Sequence, residues 1–121
     1  MKILVADDDD MVRFVCSGML HMIHHEIVEV SSGAGALDIV RKDTAAFDVI
    51  FLDDGMPEMD GLETFRNLLQ IGYRNPVVIC SGRDVSIDAF QVLPDSPPLA
   101  VLIKPFTIQR LQAALASVLP R

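Results

Sequence analysis

Cysteine is scarce in this chain: Cys16 and Cys80 are the only two among 121 residues, and each lies inside an apolar stretch. That argues against a disulfide-framed secreted scaffold and predicts two buried thiols in a reducing compartment, with a disulfide between them as the lesser alternative. No apolar run approaches the roughly 18 residues needed to span a bilayer, and the start carries no signal-peptide pattern, so a cytoplasmic protein without membrane contact is expected. Positive charge is also thin, with 10 Lys and Arg against 17 Asp and Glu and a net charge of -7. Scattered basic residues in an acidic chain disfavour direct nucleic-acid binding by this part of the protein and leave proteins and small ions as expected partners. Internal repeats, low-complexity tracts and linkers are missing too. The length, half of it hydrophobic, suits one domain spanning 1–121.

What is present is an alternation of apolar runs and helical periodicities. Ile3-Leu4-Val5-Ala6 stops abruptly at Asp7-Asp8-Asp9-Asp10, as a strand buried on both faces does. Val12, Val15, Cys16, Met19, Leu20 and Ile23 then recur at helical spacing, with Asp9 and Asp10 read as cap or surface. Ile27 to Val30 reads as a strand and Gly33 to Lys42 as a helix with Ala36, Leu37 and Val40 on one side. Val49 to Leu52 forms a third strand ending at Asp53. The turn residues Gly55, Pro57 and Gly61 lead to a helix carrying Leu62, Phe65, Leu68 and Leu69. Val77 to Cys80 is a fourth strand, Val85 to Val92 a short helix, and the proline-rich stretch from Leu93 to Leu99 an irregular connection. Leu99 to Ile103 restores a fifth strand, and Ile108, Leu111, Leu115 and Val118 mark the closing helix. The methionines read as core filler.

Five apolar strands alternating with helices predict an α/β fold, a doubly wound parallel sheet with helices on both faces. Ligands of such folds bind beyond the carboxyl ends of the strands. Asp7 and Asp8, Asp53, Ser81 and Lys104 stand at those ends. Crowded carboxylates repel one another unless protons or a hard cation neutralise them, and magnesium is the economical cation for oxygen ligands. Ser81 and Lys104 are donors suited to phosphoryl oxygens.

The segments Ile3 to Asp8, Leu52 to Gly61, Cys80-Ser81-Gly82 and Lys104-Pro105-Phe106 resemble response-regulator receiver domains of two-component signalling, over nearly the whole chain. The resemblance implies the flavodoxin-like, five-stranded receiver fold. It places the phosphorylated aspartate three residues before Met-Pro, at Asp53, and leaves Asp54 a bystander. It makes Asp8 a direct ligand of Mg2+ or Mn2+ and Asp7 a ligand through water, alongside Asp53 and the backbone carbonyl of Gly55. Ser81 and Lys104 contact the phosphoryl group, and the Lys104-Pro105 peptide is cis. The implied partners are a histidine kinase or histidine phosphotransfer domain as donor and a downstream protein target; the implied output is a conformational switch that catalyses only its own phosphorylation and slow dephosphorylation.

Two features depart from that pattern. Val101 stands where many receivers carry an aromatic switch, and the proline-rich stretch replaces the usual ending of the preceding helix, as in some receivers of hybrid histidine kinases. At two positions linked with phosphoryl lifetime, Gly55 leaves space for water, while Arg83 either covers the site or reaches the phosphoryl group.

His21, His24 and His25 cluster near a helix end, where favourable interaction with the helix dipole outweighs a metal reading. Competing functions are a haloacid-dehalogenase-like phosphatase with Asp8 as nucleophile, since Asp8-Asp9-Asp10-Met11-Val12 fits its loose motif, and a pseudo-receiver that docks without phosphorylation. A flavodoxin-like cofactor carrier is weaker, because no glycine-rich or hydroxyl-rich phosphate loop follows the first strand.

Overall fold

A computed structural model describes residues 1–83, 90 and 96–120. Their apolar runs form five strands: β1 (Lys2–Ala6), β2 (Glu26–Val30), β3 (Val49–Asp53), β4 (Val77–Ser81) and β5 (Leu99–Ile103). The periodic segments form α1 (Asp10–Met22), α2 (Gly33–Lys42), α3 (Gly61–Gln70) and α4 (Ile108–Val118). The helix expected at Val85 to Val92 falls almost entirely outside the described residues. Ser96 to Pro98 have no regular structure, in keeping with the prolines.

The strands pair in parallel in the order β2-β1-β3-β4-β5. The chain starts at β1, moves outward to β2, then returns past β1 to build β3, β4 and β5. The direction of winding therefore reverses between β1 and β3, and parallel α/β sheets place their ligand sites at such a reversal. Asp7 and Asp53 flank that crevice.

Pleating divides each strand between two cores. Leu4, Ala6, Ile50, Leu52, Val77 and Ile79 pack with Ala36, Leu37 and Val40 of α2 and Phe65, Leu68 and Leu69 of α3. Ile3, Val5, Val49, Phe51, Val78 and Cys80 pack with Cys16 and Leu20 of α1 and Leu111, Leu115 and Val118 of α4. Burial on both faces explains why these strands read as continuous apolar runs. Val101 packs partly buried against the α2 and α3 side.

Each helix starts where a side chain caps it. Asp9 accepts from the backbone N–H groups of Met11 and Val12, Ser32 from Gly35, Asp60 from Glu63 and Thr107 from Arg110. Two apolar assignments need correction. Met11 and Met22 are exposed rather than core filler, and Val15, placed on the buried stripe by its spacing, is exposed as well. The buried stripe of α1 is narrower than periodicity implied because the helix meets the sheet chiefly through Cys16, Ser17 and Leu20.

Candidate functional site at the carboxyl edge of the sheet

The strand ends bring the acidic residues together. Carboxylate oxygens of Asp7, Asp8 and Asp53 lie within 4.8 Å of one another, with Asp7 and Asp53 buried and Asp8 exposed. Lys104, just beyond β5, reaches across β4 and β3: its Nζ donates to Oδ1 of Asp53 at 2.8 Å and to Oδ2 of Asp7 at 3.0 Å. The Lys104-Pro105 peptide is cis, as the resemblance implied. The Lys104 backbone N–H donates to the Ser81 carbonyl at 2.7 Å, continuing the β4–β5 ladder into the site.

One ammonium faces three carboxyl groups, and the protonation equilibria reflect that imbalance. Burial pushes the Lys104 pKa down, but its bonds to Asp53 and Asp7 outweigh this and hold it above the ordinary lysine value. Asp53 is held above the ordinary carboxylate value: burial raises it and Asp8 adds to the effect, against the lowering by Lys104 and the Gly55 N–H. The lysine is thus held in its cationic form. Oxygen donors from three carboxyl groups and an open side at Asp8 fit a hard divalent cation that retains waters, so the residues present suit Mg2+.

Asp7 already has partners on both oxygens, because its Oδ1 accepts from the Asp9 backbone N–H at 2.9 Å. Ser81 is fully buried, and its Oγ accepts from the Arg83 backbone N–H at 3.1 Å. A Cβ placed on Gly55 would meet nothing within 4 Å, so the loop is open at that position. Gly61 holds the loop after β3 from the other side. Its N–H donates to the Asp54 carbonyl at 3.1 Å, and a Cβ on it would fall 2.7 Å from the Asp53 carbonyl oxygen.

Asp54 is absent from the acid cluster; its Oδ2 lies 3.5 Å from Nε of Arg83. Arg13 went unnoticed in the sequence. Its Nη1 donates to the Asp7 carbonyl at 2.7 Å, while its Nε lies 3.3 Å from Glu29 on β2. Its position three residues after Asp10 on a helix was the available signal, since side chains at that spacing meet. The histidines join no metal-binding group among the described residues; His21 sits in the last turn of α1, and His25 Nδ1 contacts the amino terminus at 3.2 Å. Cys16 and Cys80 are free and buried.

Residues 3–116 match the response regulator receiver domain family. The response regulator MprA of Mycobacterium avium is 33% identical over all 121 residues, which correspond to 52% of that protein. The chain thus spans about half the length of the curated relatives it matches. Among solved structures, the chemotaxis protein CheY4 of Vibrio cholerae superimposes with a TM-score of 0.85 at 28% identity, covering 98% of each chain. The receiver domain of the hybrid histidine kinase CckA gives a TM-score of 0.81 at 25% identity, covering 99% of this chain and 100% of that one. Sequence, sheet order and acidic strand-end site agree, and this chain belongs to the response-regulator receiver family of two-component signalling.

Proposed function

We propose that residues 1–121 act as one phosphoacceptor receiver in which Asp53 takes a phosphoryl group from a histidine kinase or a histidine phosphotransfer domain. The observation that carries this reading is the Lys104 ammonium held between Asp53 and Asp7, with the Asp8 carboxylate beside them.

An Asp53 carboxylate oxygen attacks the phosphorus of phosphohistidine. The new O–P bond forms as the P–N bond breaks, and the imidazole leaves with the electron pair. Lys104, fixed cationic, stabilises charge on the equatorial phosphoryl oxygens once Asp53 has become an acyl phosphate. Asp8, exposed and open to solvent, would hold the metal directly, and Asp7 would act through water, with Asp53 and the Gly55 carbonyl as the remaining protein donors. A bound Mg2+ or Mn2+ supplies charge neutralisation at the phosphoryl oxygens.

Ser81 donates its hydroxyl proton to the phosphoryl group while still accepting from the Arg83 backbone N–H, which draws the loop after β4 inward and biases a two-state surface toward a downstream protein target. The chain acts as a cytoplasmic switch whose only catalysis is its own phosphorylation and slow hydrolysis. With Val101 packed in the sheet, switching relies on displacement of the Ser81 loop rather than on an aromatic side chain.

The test is acid-quenched labelling with a radiolabelled phosphodonor, with and without magnesium. Label is expected in the wild type only with magnesium, and its loss is expected in Asp53→Asn. Label that survives Asp53→Asn but disappears in Asp8→Asn overturns the proposal in favour of a phosphatase with Asp8 as nucleophile.

A further inference from the structure

We infer that Asp54 is a positioning residue: paired with Arg83, it forms a clasp between the loop after β3 and the loop after β4, across the side of the mouth next to Asp53 and Ser81. This rests on Asp53 being the phosphoacceptor and concerns how long the phosphoryl group remains there.

Asp54 is anchored on both sides. Its N–H donates to the Cys80 carbonyl at 3.0 Å, and its carbonyl accepts from the Gly61 N–H at 3.1 Å. The carboxylate is therefore held at a fixed place, and its side chain is only 10% exposed. Arg83 is the opposite case, with a side chain 81% exposed and free to sample many rotamers unless something holds it. The contact at 3.5 Å from Nε to Asp54 Oδ2 supplies the hold. Arg83 also donates its backbone N–H to Ser81 Oγ at 3.1 Å. One residue thus joins the hydroxyl predicted to meet the phosphoryl group to the carboxylate beside the phosphoacceptor.

β3 and β4 are neighbours in the sheet, with Asp53 paired to Cys80, so the clasp spans two adjacent strand ends. Hydrolysis requires a water oxygen to attack phosphorus as the bond to the Asp53 oxygen breaks, releasing inorganic phosphate and restoring the carboxylate. Gly55 adds no side chain to the same loop, and a Cβ there would meet open space. The clasp narrows the remaining approach and keeps the Ser81 hydroxyl aimed. An exposed arginine paired with a nearly buried carboxylate is a weak interaction, so its effect on lifetime is about two- to fivefold.

Two measurements on the intact chain test the clasp. In the unphosphorylated protein, hydrogen exchange at the Arg83 amide is expected to accelerate about two- to fivefold in Asp54→Asn. Unchanged exchange overturns the clasp whether or not Asp53 is ever labelled. In the labelled protein, Asp54→Asn and Arg83→Gln are each expected to shorten the acyl-phosphate lifetime, with the double variant no shorter than either single one. Molar salt is expected to shorten the wild-type lifetime and leave the variants unaffected, and Arg83→Lys is expected to restore part of it. Strictly multiplicative effects in the double variant, or equal salt sensitivity in all forms, also overturn it. Unchanged thermal midpoints confirm that the variants are folded. Failure to label Asp53 in the wild type counts against the proposed function instead, since the exchange measurement reads the clasp without phosphate.

Discussion

The Lys104 ammonium lies 2.8 Å from the Asp53 carboxylate, although 51 positions separate the two in the chain. The same nitrogen lies 3.0 Å from Asp7, so a single cation is shared between carboxylates at the ends of β1 and β3. On the proposed reading, a metal would compete with the lysine for overlapping oxygens before phosphoryl transfer.

That competition predicts opposite responses from one substitution. Lys104→Ala is expected to bind magnesium more tightly, because a competing positive charge is gone, yet to be labelled about 10²-fold more slowly, because the transition state loses a fixed donor. Isothermal titration with magnesium and the labelling rate check the two halves. Weaker magnesium binding would refute the shared-oxygen account.

Asp53 carries a charge that the metal-free fold accommodates poorly. Its pKa is raised by burial first, then by Asp8, against the opposing effects of Lys104 and Gly55. A group whose folded pKa exceeds its unfolded value contributes stability that is fully present below the unfolded value, near 3.9, and lost as pH rises through the folded one. Asp53→Asn is accordingly expected to raise the thermal midpoint at pH 7 without metal, with the gain shrinking as pH falls toward 4. Magnesium is expected to raise the wild-type midpoint more than the variant's. A destabilised variant would contradict this.

The thiols offer an alkaline counterpart. Burial pushes Cys16 up to about 12, with Asp7 adding and Lys104 opposing, and burial also holds Cys80 well above its ordinary value. Both thiols are expected to resist iodoacetamide at pH 8 in the folded chain and to react promptly in denaturant. Stability is fully present below the unfolded thiol pKa near 8.5 and is lost as pH rises toward the folded values. Peptide mapping of the alkylated protein and unfolding curves between pH 8 and 10 are the measurements.

Gly61 is constrained by backbone rather than by side chains. An added Cβ would sit 2.6 Å from Asp54 Cα and 2.7 Å from the Asp53 carbonyl oxygen, and neither atom can rotate away. Gly61→Ala is expected to cost about 1–3 kcal/mol by denaturant unfolding and to slow labelling of Asp53 as its loop shifts. Gly55→Ala, whose Cβ would meet open space, is the control expected to leave stability nearly unchanged. Equal losses in the two variants would show that the approach of Gly61 to Asp53 is not the cause.

Much of this was legible in the chain alone. Two-sided burial makes β1, β3 and β4 continuous apolar runs, and a strand end has to be announced by polar residues, so Asp7, Asp53 and Ser81 stood out at the edge where parallel sheets bind ligands. The residues Asp53-Asp54-Gly55-Met56-Pro57 and Lys104-Pro105 then singled out Asp53 over its neighbour as the proposed phosphoacceptor through resemblance, since composition treats two adjacent aspartates alike. Periodicity misjudged Val15, Met11 and Met22, because spacing marks a stripe but not how much of it the sheet covers.

The sequence by itself determined the order of the described elements, the two-sided burial of the sheet and the identity of the strand-end residues, because these depend on local patterns of apolar and polar side chains. Only the tertiary structure decided which carboxylates share Lys104, that Arg13 holds the Asp7 carbonyl, and that Asp54 faces Arg83. Those relations arise from chain crossovers that place distant residues side by side. Coulomb and hydrogen-bond energies depend on such separations in space, which positions along a chain do not encode.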